Sequence, residues 1–128
     1  MVAALFLAAA SPAVAQPDTA DLVTQGALGF HGDLGCGNCH FKDSTFAPPL
    51  EGVAGRRIAS APGFLYSASL KAKSGKWTDA SLDAFLASPH TFAPGSGMDA
   101  RVEDPTQRRA VIAYLKTLKP PPPPSSTR

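Results

Sequence analysis

The chain has 128 residues, enough for one domain, and its 12 basic and 10 acidic residues leave a formal net charge of +2. So small an excess of positive charge argues against a nucleic-acid partner. Thirteen prolines and eleven glycines indicate long loops between the regular elements. Only two cysteines are present, so no disulfide framework supports the domain.

The N-terminal fifteen residues are apolar and rich in alanine, and they end in Ala13-Val14-Ala15. This is the pattern of a secretory signal peptide with its cleavage site, although no lysine or arginine precedes the apolar run. The run is too short to cross a bilayer as a helix. We expect residues 1–15 to be removed on export, which puts the mature chain in the periplasm without a membrane span. The alternative is a buried apolar helix.

The first predicted helix covers residues 18–30 and carries an apolar stripe along one face. Asp18 or Thr19 can cap its start. Gly26 lies inside it, where glycine costs about 1 kcal/mol relative to alanine. A close crossing with another helix would explain this glycine.

The segment after this helix is Cys36-Gly37-Asn38-Cys39-His40, the C-x-x-C-H pattern of c-type haem attachment. Two intervening residues put the thiols about one turn apart, so each can form a thioether bond to one vinyl group of the same porphyrin. The histidine that follows can reach the iron. Zinc sites and thiol–disulfide pairs also use C-x-x-C, but neither needs this histidine. We therefore predict one haem c, bound covalently through Cys36 and Cys39, with His40 as an axial ligand.

Residues 41–47 show no periodicity and are predicted to form a loop, followed by a proline- and glycine-rich loop at 48–56. A carbonyl oxygen in the second loop could accept the ring N–H of His40 and thereby fix its tautomer. Turn chemistry alone also explains the glycines, and the two explanations are compatible.

Three further helices are predicted, at residues 67–73, 78–88 and 105–118. Asp104 can cap the last of them, with Pro105 in its first position. Pro89 is expected to end the helix at 78–88. Residues 90–102 are then predicted to form an extended loop.

Met98 lies in that glycine-rich loop and is the only methionine left once the signal peptide is removed. It has no periodic apolar neighbours, so core packing explains it poorly. A thioether sulfur is a soft ligand that favours ferrous iron. We predict Met98 as the sixth ligand of the iron, with His90 and His31 as its rivals.

From about residue 26 to 115 the sequence resembles the class I cytochromes c of the small bacterial type. The resemblance rests on several motifs: Gly26 with Phe30, the C-x-x-C-H motif, the P-x-L-x-G-x-x-G-R loop from Pro48 to Arg56, the run from Ala61 to Tyr66, and the methionine loop from Pro94 to Met98. It implies an all-α cytochrome c fold, with three to five helices and long loops around one haem.

The resemblance also assigns haem-binding residues outside the motif. These are Pro48, Arg56, Tyr66, Trp77 and Ser96. By this likeness Arg56, Tyr66 and Trp77 would hydrogen-bond the haem propionates, because a carboxylate removed from water needs donors or a cation.

The predicted organisation is a signal peptide at 1–15, a cytochrome c domain at 16–119 and a proline-rich tail at 120–128. The tail is expected to be extended or disordered.

If His40 and Met98 both bind the iron, no position stays open for a substrate, as an enzyme would require. The resemblance therefore implies a monomeric periplasmic electron carrier. Its donor would be a cytochrome bc complex or a dehydrogenase, and its acceptor a terminal oxidase or reductase. The alternatives are a haem c subunit of one oxidoreductase complex, a gas-binding haem sensor with a labile methionine ligand, and a zinc or thiol-redox module without haem.

Overall fold

The structure is a computed structural model that describes residues 9–120 and residue 122. These residues form five α-helices and one turn of 3₁₀ helix at Cys36–Asn38. The α-helices are α1 (Thr19–His31), α2 (Ala68–Lys71), α3 (Asp79–Ala87), α4 (Pro89–Phe92) and α5 (Pro105–Leu115). The only β pairing within the described residues is an isolated antiparallel bridge between Arg57 and Lys76. The prediction of an all-α fold with three to five helices and long loops is confirmed.

The ends of the chain are described only in part. Residues 1–8 of the predicted signal peptide, and residues 121 and 123–128 of the predicted tail, lie outside the described residues. Residues 9–15 are exposed and form neither helix nor strand. Across the described part of the chain, no helix combines the length and the apolar character needed to span a membrane.

Side-chain caps begin the longer helices. The Asp18 carboxylate accepts from the N–H of Asp21 at 2.8 Å at the start of α1. The Asp104 carboxylate caps α5 by accepting from the N–H groups of Thr106 and Gln107. These caps satisfy N–H groups that have no partner inside the helix, so the predicted starts of both helices are confirmed. The predicted end of the last helix was three residues too late, since α5 ends at Leu115.

Pro89 begins a helix as well as ending one. Ser88 is the C-cap of α3 and the N-cap of α4, and its hydroxyl accepts from the N–H of Thr91 at 3.4 Å. Pro89 takes the first position of α4, where a missing N–H leaves no hydrogen bond unmade. The prediction that residues 90–102 form one extended loop was therefore wrong at its start.

Helices α1 and α5 cross at Gly26. A Cβ atom built at Gly26 would lie 2.0 Å from the carbonyl oxygen of Ala110 and 2.8 Å from the Cβ of Tyr114. Two helix backbones can approach this closely only where one of them carries no side chain. The predicted reason for the glycine is confirmed.

The core joins the helices to the loops between them. Its buried members come from α1, α2, α3, α5 and the intervening loops: Phe30, Val53, Ile58, Leu70, Trp77, Leu82, Leu86, Ala93, Val102, Val111, Ile112 and Leu115. Cys36 and Met98 pack against this cluster. The burial of loop residues therefore helps to fix the loops that carry the candidate site.

Gly26→Ala is expected to lower the free energy of unfolding by about 2–3 kcal/mol, because the new Cβ collides with the backbone of α5. Gly29→Ala in the same helix is the matched control, since its Cβ would meet side-chain atoms only, the nearest being Cδ1 of Leu34 at 3.1 Å. We expect this control to gain up to about 1 kcal/mol from helix propensity. Guanidinium denaturation followed by circular dichroism measures both, and equal midpoints would contradict the close crossing.

Candidate functional site

The C-x-x-C-H segment follows directly on the turn that ends α1. Gly35 has a φ of +65°, a left-handed conformation that glycine adopts without steric cost, and it leads into the 3₁₀ turn. The N–H groups of Cys39 and His40 both donate to the carbonyl oxygen of Cys36, at 3.2 and 2.9 Å. This turn holds both cysteines and the histidine on one short loop.

The two cysteines are free thiols. Cys36 is half-buried, and burial raises the pKa of its thiol, a shift that the negative charge of Asp33 increases. Cys39 is exposed. A reactive thiol–disulfide centre works through a thiol of lowered pKa, so the environment of Cys36 disfavours that alternative. Both sulfurs remain available for two thioether bonds.

His40 is oriented by a backbone carbonyl in the second loop. Its Nδ1 lies 2.8 Å from the carbonyl oxygen of Pro48, so Nδ1 carries the proton and donates it. Burial lowers the pKa of the His40 imidazole, and the hydrogen bond to Pro48 opposes this only in part. The ring is therefore neutral with a free lone pair on Nε2, which is the form that binds a metal.

Arg56 braces the loop that supplies this carbonyl. Its Nη2 donates to the carbonyl oxygen of Pro49 at 3.0 Å, and its Nη1 donates to that of Glu51 at 3.2 Å. Its Nε is buried and has no hydrogen-bond partner among the described residues. A buried donor without a partner costs free energy, and an anionic oxygen such as that of a haem propionate would satisfy it.

Tyr66 and Trp77 are the other two residues predicted to bind the haem propionates. The Tyr66 hydroxyl accepts from the N–H of Ala61 at 3.2 Å, which leaves its own proton free to be donated. Trp77 is only 7% exposed, and its backbone N–H donates to the carbonyl oxygen of Arg56 at 2.9 Å. The Nε of Arg56 and the O–H of Tyr66 can each still donate a hydrogen bond. The residues present therefore fit a haem whose carboxylates are removed from water.

Met98 lies in a loop that is held at several points. It is half-buried against the core, and its N–H donates to the hydroxyl of Ser96 at 3.3 Å. Ser96 is itself buried, at 7% exposed. Earlier in the loop, the hydroxyl of Ser69 in α2 donates to the carbonyl oxygen of Pro94. Hydrogen bonds at Pro94 and at Met98 therefore hold the backbone of the loop that carries the thioether.

The two histidines that rival Met98 each have another partner. His31 Nε2 lies 2.9 Å from the hydroxyl oxygen of Tyr114. His90 Nε2 lies 2.8 Å from a carboxylate oxygen of Asp99. In both rivals the hydrogen bond engages Nε2, the nitrogen that His40 leaves free, whereas Met98 packs against the core.

Sequence reasoning missed Arg108, which anchors the far end of the methionine loop. Its Nε lies 2.7 Å from a carboxylate oxygen of Asp83 in α3, and its side chain is 14% exposed. Its Nη1 donates to the carbonyl oxygens of Val102 and Glu103, at 3.0 and 2.8 Å. The N–H of Val102 also donates to Leu86 at 2.8 Å. No local pattern signals the Asp83 partner, because it meets Arg108 only when α3 packs on α5.

Arg56→Gln is expected to lower the free energy of unfolding by about 1–3 kcal/mol, because the charged donors to Pro49 and Glu51 are lost. Arg56→Lys keeps the charge but not the forked geometry, so an intermediate loss is expected. Arg57→Gln is the control, since Arg57 is exposed, and its change should stay within about 0.5 kcal/mol. Urea titration of the three variants tests this, and equal losses at positions 56 and 57 would refute the bracing role.

Arg108→Met is expected to cost about 2–3 kcal/mol of unfolding free energy, because it leaves a carboxylate and two carbonyl oxygens without their donor. Asp83→Asn should cost less than about 1 kcal/mol, because Asp83 is half-exposed and the carbonyl contacts survive. Thermal and chemical denaturation compare the two. Similar losses would show that the ion pair, rather than the carbonyl contacts, holds the loop.

Known proteins provide an independent comparison for this geometry. No protein-family model matches the sequence. The chain is 38% identical over 90 residues to cytochrome c2 iso-1 of Magnetospirillum molischianum. The alignment covers 66% of this chain and 90% of that protein. It is 42% identical over 86 residues to the cytochrome c-type protein cyt cy of Rhodobacter capsulatus, but it spans only 43% of that longer protein.

The fold has a similar counterpart among solved structures. Cytochrome cH from Methylobacterium extorquens superimposes with a TM-score of 0.68 at 34% identity, covering 74% of this chain and 97% of that one. Nearly whole cytochromes c2 and cH thus align with this chain, in sequence and in fold respectively. The chain therefore belongs to the class I cytochromes c, a family of electron-transfer haem proteins, not enzymes, whose cofactor is one covalently bound haem c.

Proposed function

We propose that this chain is a one-electron carrier that binds haem c through Cys36 and Cys39, with His40 and Met98 as the axial ligands. The observation that carries the proposal is the hydrogen bond from His40 Nδ1 to the carbonyl oxygen of Pro48, 2.8 Å long. It presents a neutral imidazole within four residues of two free thiols. Bound haem would supply the one-electron couple of its iron. The chain would supply the covalent attachment and the two iron ligands.

Hydrogen bonds hold the two loops that carry the proposed iron ligands. The loop behind His40 is held by Arg56, and the loop of Met98 is held by Ser96 and Arg108. A ligand set that moves little between two oxidation states suits electron transfer. If His40 and Met98 both bound the iron, no position would remain for a substrate, so we propose a carrier and not a catalyst.

Arg56 has a second role in this proposal, which it shares with Tyr66. The free Nε of Arg56 and the hydroxyl of Tyr66 would bind the haem propionates, with Trp77 beside them. Hydrogen bonds to a carboxylate favour its charged form, which removal from water alone would disfavour. These residues would therefore orient the porphyrin and influence the reduction potential of its iron.

We further propose a periplasmic location and a monomeric state. The support is the signal-like sequence that ends at Ala15 and the relatedness to a bacterial cytochrome c2 and a bacterial cytochrome cH. The donor would be a cytochrome bc complex or a dehydrogenase, and the acceptor a terminal oxidase or reductase. A haem subunit of one oxidoreductase complex would use the same site with a single fixed partner.

Optical spectra of the oxidised and reduced protein test the ligand assignment. Wild type is expected to show covalent haem c bands and the absorption band of a methionine sulfur on ferric haem, and Met98→Ala should lose the latter. His90→Ala and His31→Ala are the controls and should keep it. Loss of the band in a histidine variant, or its survival in Met98→Ala, would refute the assignment. Ready binding of carbon monoxide by the reduced wild type would favour the gas sensor instead.

A further inference from the structure

The chain on either side of Met98 has few attachments to the rest of the molecule. The N–H of Met98 donates to the hydroxyl of Ser96, which belongs to the same loop. Among the hydrogen bonds and ion pairs of the described residues, one connects residues 97–101 to a point outside the loop between α4 and α5. In it, Nε2 of His90 lies 2.8 Å from Oδ1 of Asp99. This contact therefore joins α4 to the residue that directly follows Met98.

His90 extends from a backbone that the core holds in place. Pro89, which precedes it, is fully buried, and Ala93 at the end of α4 is 0% exposed. The N–H of Ala93 donates to the carbonyl oxygen of Pro89 at 2.8 Å. The N–H of Phe92 donates to that of Ser88 at 3.0 Å. The imidazole of His90 is exposed, but the turn that carries it is anchored.

The contact between His90 and Asp99 closes a short loop around Met98. The two residues are nine positions apart, and Met98 lies one position inside the closed segment. Because a carboxylate oxygen only accepts, Nε2 of His90 carries a proton and donates it. Fixing both ends of a segment reduces the conformations open to the residues between them. The contact thus restricts Met98 from its C-terminal side, as Ser96 does from its N-terminal side.

We propose that His90 and Asp99 are positioning residues for Met98, and that their hydrogen bond limits the replacement of this methionine by a ligand from solution. The proposal rests on the proposed function, in which Met98 binds the iron. Replacement would break one iron–sulfur bond and form one bond from the iron to the new ligand, without a change of oxidation state. Stabilising the closed loop lowers the fraction of open molecules, and the apparent affinity for the outside ligand falls by the same factor.

The exposure of this pair gives the proposal a distinctive signature. Exposed charged pairs contribute little to the stability of a whole fold. Local opening of the loop, however, would break this bond while the helices stay folded. Loss of the bond should therefore change the affinity for an outside ligand and leave the unfolding midpoint almost unchanged. A side chain that merely supported the fold would change both together.

Imidazole is the probe, titrated optically into the haem-loaded ferric protein at one fixed pH. His90→Ala and Asp99→Ala should each raise its affinity about threefold, and the double variant should match the single ones, because either change removes the bond. Asp99→Asn keeps an acceptor and should stay closer to wild type. Glu103→Ala is the control, since it breaks an exposed ion pair with Arg101, 2.7 Å long, that does not span Met98. Its affinity for imidazole should equal that of wild type.

Three outcomes would overturn the positioning role. They are wild-type affinity in His90→Ala, independent effects that multiply in the double variant, and a denaturation midpoint that falls in step with the change in affinity. Met98→Ala separates this inference from the proposed function. If that variant kept the methionine–ferric band, the ligand assignment would fail and the positioning role with it. Loss of the band in Met98→Ala, with an unchanged imidazole affinity in His90→Ala, would refute the positioning role alone.

Discussion

The backbone of α5 occupies the space that a side chain at position 26 would need, and the rest of the structure depends on that crossing. The chain leaves α1 through the left-handed Gly35 directly into the cysteine motif. At the other end, the carbonyl oxygen of Leu118, just after α5, accepts from the N–H of Gly52 in the second loop at 2.9 Å. One contact between two helices therefore fixes where the motif lies relative to the loop that orients its histidine.

The two candidate axial ligands are held by different means. His40 is held by one backbone carbonyl, whose loop is in turn held by the guanidinium of Arg56. Met98 is held through its loop, which is attached to α5 by Arg108. In both cases an arginine that need not touch the iron stabilises the backbone of a ligand loop. Such support confines the ligands, since each arginine pairs with carbonyl oxygens that would otherwise be left without a donor.

The parts of the fold that sequence predicted well have local causes. The starts of α1 and α5 follow from a capping aspartate one residue before each helix. Because glycine is costly inside a helix, its presence at position 26 indicated a close helix crossing. Pro89 was misjudged because proline can both end one helix and begin the next. The guanidinium of Arg56 donates to backbone carbonyl oxygens. Because every residue has such an oxygen, no side-chain pattern could predict these contacts.

The long separation between the two crossing helices also sets the order in which the molecule can form. Ala110 follows Gly26 by 84 residues, and α1 has only 13 residues. A helix of that length is marginal in water without a packing partner. During synthesis, Cys36 and Cys39 are therefore made well before α5 exists, in a chain that cannot yet close. The α1–α5 crossing can therefore hold the cysteine motif in place only after nearly the whole chain has been made.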